Sequence, residues 1–158
     1  FREEKKIAVA VNLDAVVYDP AEKAVYVSSL GDYTKAHPAG LYKVETASGK
    51  ATAMGFAANR MQLVGERLYY LTTALSGGEP TVGYYTPAIG QHTTISISKE
   101  YSFRMPYGLL VDPESGDIYL TDARDYVTPG VLLRYSSEGT LLSEQRTGDI
   151  PGHLCIKK

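Results

Sequence analysis

Tryptophan is absent, cysteine occurs once, histidine three times, and no run of 18 apolar residues exists. Each shortage excludes something. A single thiol, Cys155, cannot close an internal disulfide, and without a CxxC partner it reads as a small buried hydrophobe. The lack of a long apolar run excludes a membrane-spanning helix. The histidines, His37, His92 and His153, show no HxH or HExxH spacing that would hold a metal. No GxSxG marks a nucleophile elbow. Helical periodicity is also missing: no 12 residues keep apolar positions at i, i+3, i+4 and i+7. Residues 99–106, KEYSFRMP, offer one helical turn at most. With no helix to follow it, no Gly-rich phosphate loop can be assigned. Excess positive charge is lacking too: the net charge is −2 and the pI about 5.9. Nothing would neutralise a row of phosphates, so nucleic acid is not an expected partner. The most basic stretch, Arg2 to Lys6, is interrupted by Glu3 and Glu4 and reads as a solvated strand end.

What the sequence does contain is tyrosine, thirteen of them among 158 residues, a strand former with a polar tip suited to half-buried positions. The length, 44% hydrophobic and 22% charged residues fit one globular domain, 1–158. Three segments repeat one grammar. A short apolar strand (AVVY, MQLV, GLLV) ends in a turn, which in the first and third units begins Asp19-Pro20 and Asp112-Pro113. Pro presets φ for such a turn and Asp caps it. A strand of alternating β-branched and aromatic residues follows (VYVSS, LYYLTT, IYLTDA), then a longer loop. A third strand (LYKVE, VGYYT, VLLRY), a tight Gly turn and a more polar fourth strand complete the unit. Anchored on Tyr26, Tyr69 and Tyr119, the units are offset by 43 and 50 residues, the period of a four-stranded propeller blade. The expected fold is therefore all-β, with blades at about 14–54, 60–98 and 107–147 and orphan strands at 5–12 and 150–157. Closed propellers have about four to eight blades. Three would leave exposed edges, so further blades from a parent chain, or a second copy in a homodimer, are expected to complete the ring. The chain opens on Phe1 without Met or signal peptide and reads as a mature or trimmed chain.

The stretch from Pro106 to Ile156 carries PYG, VDP, GDIY, TDA, DY, PG and TGDIP in order. In this it resembles the C-terminal half of the YncE-like, surface-layer-type seven-bladed propellers, common as lipoproteins in Bacteroidetes. YVSSLGDY followed by GLYKVET fits the same pattern, and the middle unit fits more loosely. The resemblance implies a non-enzymatic binding protein of the cell envelope, at the outer-membrane surface or in the periplasm. It implies a small ligand or surface-protein partner; one branch of the family captures corrinoids.

Function on such a scaffold belongs to the loops of one face. Here these are 28–40, 72–80 and 121–130 after the second strands, and 12–14, 55–60, 102–107 and 149–153 between blades. Asp32-Tyr33 and Asp125-Tyr126 recur 93 residues apart. Asp in each place is expected to cap its own loop, and Tyr33 and Tyr126 are candidates for an aromatic rim around a flat ligand. The middle loop, LSGGEPTVG, lacks the pair, and its glycines suggest a mobile tip. Arg60, Arg104, Tyr107, Arg124 and His153 fall on the same face, and Arg with Tyr suits an anionic or aromatic ligand. His153 is expected on a first strand, lining a channel or buried in the core. Asp112, Asp117, Asp122 and Asp125 resemble a Ca²⁺ ladder but fall at opposite ends of a hairpin and read as turn chemistry. No cofactor or catalytic residue is assigned. Two alternatives to the binding module stand. One is a metal-dependent propeller hydrolase or lactonase, for which Asp14 is the lone acidic first-strand candidate. The other is a purely structural interaction module.

Overall fold

The computed structural model describes residues 5–32, 34, 36–74 and 77–157. The chain is all-β, with three four-stranded antiparallel sheets of propeller-blade type. The first sheet comprises β1 (Leu13–Asp19), β2 (Ala24–Ser29), β3 (Gly40–Glu45) and β4 (Ala51–Ala53). The second has β5 (Arg60–Val64), β6 (Arg67–Thr72), β7 (Thr81–Thr86) and β8 (Gln91–Ile95), and the third β9 (Pro106–Val111), β10 (Ile118–Asp122), β11 (Val131–Tyr135) and β12 (Leu141–Arg146). Spatial order follows chain order in every sheet. The chain divides into two compact units, residues 1–59 with the first sheet and 60–158 with the other two.

The repeat grammar explains the hairpins. Asp19 Oδ1 accepts the N–H groups of Ala21 and Glu22. Asp112 does the same for Glu114 and also accepts the Ser115 hydroxyl. These are the Asp-Pro turns expected from sequence. Each anchor tyrosine sits on the second strand, opposite Lys43, Tyr84 and Arg134 on the third. In the third sheet the Arg134 guanidinium lies over the Tyr119 ring and pairs with Asp117. The fourth strands are polar and mostly exposed. The sole helical element among the described residues is a 3-10 turn at Pro87–Ile89. It stands where sequence gives a tight turn, and Gly90 closes it at φ 66°. Residues 99–106 form no helical turn.

In the larger unit, β5 packs on β9. The core gathers Leu71, Val82, Phe103, Ile118, Leu133 and Tyr135 with their neighbours from both sheets. The first unit buries Ala24, Tyr26, Val27, Leu41 and Val44, while Leu13, Val16 and Tyr18 of β1 remain exposed.

Neither expected orphan strand is paired. Residues 5–12 end on Asn12 at φ 50° and are tied down by single bonds. Ser29 Oγ donates to the Val11 carbonyl, and Leu30 N–H to that of Asn12. Residues 150–157 begin with Ile150 at φ 50°, then Pro151, which has no N–H for a ladder. Cys155 corrects the reading from composition: it is exposed, because it lies on this unpaired segment.

Candidate functional site

The loop 122–130 is built from its hydrogen bonds. Asp122, fully buried at the end of β10, spends its carboxylate on four donors. Oδ2 accepts the Tyr101 hydroxyl at 3.0 Å and the Arg104 N–H at 2.9 Å. Oδ1 accepts the N–H groups of Met105 at 2.7 Å and Arg124 at 2.8 Å. One carboxylate thus joins the connection 101–105 to the loop. Asp125 then caps the tip, its Oδ1 accepting the N–H groups of Val127 and Thr128 and the Thr128 hydroxyl.

The same construction appears 93 residues earlier, in the first unit. Ser29 replaces Asp122 and accepts the Gly31 N–H. Leu30 N–H bonds the Asn12 carbonyl as Ala123 N–H bonds that of Met105. Asp32 caps through Oδ1 to the Ala36 N–H and the Thr34 hydroxyl. Its Oδ2 lies 2.7 Å from His37 Nδ1; a carboxylate only accepts, so Nδ1 carries the proton.

Both caps pull their carboxyls down from the ordinary 3.8 to about 2. The hydrogen bond from His37 is the largest cause at Asp32, and the backbone N–H of Thr128 at Asp125. A carboxyl lowered on folding stabilises the fold above its unfolded value and loses that contribution as pH falls through the folded one. The loops should therefore loosen between pH about 4 and 2. NMR titration of the Asp125 carboxyl carbon is expected to give a midpoint near 2. A midpoint at 3.8 would remove the cap.

The two loops also differ just before the capping aspartate. Gly31 has φ 69°, whereas its counterpart Arg124 has φ 54°, and Tyr126 follows at φ 63°. Two large side chains occupy left-handed backbone, a region costing about 1–2 kcal/mol for a residue with Cβ. Tyr126, 42% exposed, meets the Tyr107 ring edge-on at 5.7 Å between centroids. Arg60, the first residue of β5, donates from Nε to the Tyr107 carbonyl at 3.0 Å. Its guanidinium lies 5.4 Å from the centre of that ring.

The same loop also borders an open depression of about 440 Å³, lined by Tyr101, Ser102, Arg104, Arg124, Asp125 and Thr128. Burial raises the Tyr101 phenol, so it stays protonated, and Tyr101 is the largest influence raising Arg124. The structure thus groups Arg60, Tyr107 and Tyr126 as a ledge, and Arg104, Arg124 and Asp125 around the depression. Asp32 belongs to the other unit, and Tyr33 lies outside the described residues, as do Leu75 and Ser76 of the middle loop. His153 is exposed on the unpaired segment 150–157 rather than lining a strand. Sequence reading missed Tyr101, Ser102 and Thr128; an aromatic in the connection before a first strand was the available signal.

Asp112, Asp117, Asp122 and Asp125 do not converge, and among the described residues no three His, Cys, Asp or Glu could share a metal ion. No helix among them is long and apolar enough to cross a membrane. No protein-family model matches the chain, and no curated protein matches it.

Proposed function

We propose that the chain is a non-catalytic binding module of the cell envelope, of the YncE-like propeller type, that takes its ligand on the loop 122–130. The observation that carries this reading is the pair Arg124 and Tyr126 in left-handed backbone. Strain of this kind persists where the surrounding structure enforces it, and it gathers at functional positions. Here Asp122 and Asp125 enforce it, and the product is the Arg124 side chain on the loop depression and the Tyr126 ring against Tyr107, over which Arg60 lies. Stacked or edge-on rings and guanidinium planes suit a flat ligand, and a corrinoid is the flat ligand to try first. Three blades fall short of the about four to eight of closed propellers. That supports completion by further blades from a parent chain or a second copy.

Equilibrium dialysis against cyanocobalamin, read by its visible absorbance, tests the reading. The chain should retain the corrinoid, and Tyr126→Asn should weaken capture about three- to tenfold without lowering thermal stability. Asn tolerates left-handed backbone, so the change removes the ring and little else. Equal capture by the variant would move the site off this loop. No retention by the unaltered chain would remove the corrinoid.

A further inference from the structure

We infer that the depression beside the loop 122–130 is an oxyanion seat, which takes a carboxylate or phosphate group of the ligand between Arg104 and Arg124. The inference rests on the loop being the binding surface and adds the chemistry of what it binds.

Arg104 and Arg124 line the depression with Tyr101, Ser102, Asp125 and Thr128. Three carboxylates stand near them. Asp122 is buried with four donors upon it, Asp125 holds three donors of its own loop on Oδ1, and Glu144 acts on Arg124 through space without a hydrogen bond to it. Arg104 is exposed, and among the described residues no acidic side chain pairs with its guanidinium. Arg124 is held at its backbone. Its N–H donates to Asp122 Oδ1, and the Tyr101 hydroxyl donates to Oδ2 of the same buried carboxylate, so Tyr101 acts on Arg124 through Asp122. Tyr101 is thus a positioning residue.

The internal repeat supplies a control. The first unit closes the equivalent loop with Gly31 at the Arg124 position, so the loop does not need a side chain there. An arginine in left-handed backbone is explained by its guanidinium. Planar forks of N–H donors match the two oxygens of a carboxylate or phosphate, and the Tyr107–Tyr126 ledge at the same loop suits an anion carried on a ring.

The test is NMR titration of the full chain at fixed ionic strength with three probes: benzoate, its neutral counterpart benzamide, and inorganic phosphate. Benzoate and phosphate should give saturable shifts of the Arg104, Arg124 and Thr128 amides and of the arginine Nε–H signals. Benzamide should not. Arg104→Gln and Arg124→Gly should each weaken benzoate about tenfold or more, and glycine at the second position cannot strain the loop. Tyr101→Phe should weaken it less and speed exchange of the Arg124 amide, which donates to the same carboxylate. Benzamide binding as well as benzoate would overturn the seat while leaving the binding surface in place. So would benzoate binding unchanged in Arg124→Gly, or shifts that never saturate. Corrinoid capture lost in Tyr126→Asn with no anion response would overturn the seat alone. Phosphate binding without benzoate binding would support the seat and point to a phosphate-bearing ligand.

Discussion

Asp122→Ala is expected to destabilise the larger unit by about 3–4 kcal/mol. The carboxylate is fully buried and accepts from Tyr101, Arg104, Met105 and Arg124. Alanine removes every acceptor at once. A buried donor left without a partner costs about 1–3 kcal/mol, but Arg104 is exposed, so water recovers part of the sum. Asp122→Asn should cost less, because one amide oxygen still accepts while the NH₂ faces donors. Urea denaturation should show the order aspartate, asparagine, alanine, with the melting midpoint of the alanine variant down by about 10 °C or more. Amide exchange locates the effect: the N–H groups of Arg104, Met105 and Arg124 should exchange faster, and those of the Asp112 turn should not. A loss under about 1 kcal/mol would mean the carboxylate is not what holds the connection 101–105 to the loop.

This tie shows where the sequence could be read and where it could not. The strands were legible because each is short, alternating and bounded by turn residues, and because the pattern recurs. Observed bounds lie within one or two residues of the expected ones for AVVY, LYKVE and VLLRY. The Asp caps at residues 19, 112, 32 and 125 were legible for the same reason: the bond is local, and a side chain reaching two to four residues along the chain is visible in the sequence. Asp122 looks the same on paper, yet its partners at 101, 104 and 105 are distant in sequence. Nothing local separates a cap from a tie. Tyr107 and Tyr126 were both candidates, but their pairing depends on the left-handed turn at Arg124 and Tyr126, which residue type argues against. The rim read from Tyr33 and Tyr126 rests on the repeat, and Tyr33 lies outside the described residues. In the larger unit Tyr126 meets a ring from β9. His153 was assigned to a final strand that Ile150 and Pro151 interrupt, and Cys155, read as buried from its lack of a CxxC partner, is exposed on the same segment.

Gln62→Ala should cost about 2–4 kcal/mol, although the side chain belongs to no loop or candidate site. The strand bond from Asp112 N–H to the Asp117 carbonyl turns the peptide groups of Val111 away from β10. Gln62, on β5, satisfies both: Nε2 donates to the Val111 carbonyl at 3.0 Å, and Oε1 accepts its N–H at 2.6 Å. Val111 is fully buried, so few waters can substitute. The repeat contained the hint. Opposite the anchor tyrosines the first and third sheets place Val17 and Leu110, and the second places this amide. Gln62→Glu gives a sharper test. At neutral pH a carboxylate oxygen would face the Val111 carbonyl oxygen, so folding favours the protonated acid and raises its pKa above the ordinary 4.3 or so. By linkage the glutamate variant should approach the parent in stability below pH about 4 and lose ground as pH rises through the raised value. Urea midpoints of parent, Gln62→Ala and Gln62→Glu at pH 4 and pH 7 decide it. If the glutamate variant is equally stable relative to its parent at both, the amide does not bridge the two sheets. If the gap opens only at the higher pH, Gln62 joins the first strands of the second and third sheets, beside the bond that Arg60 makes to Tyr107.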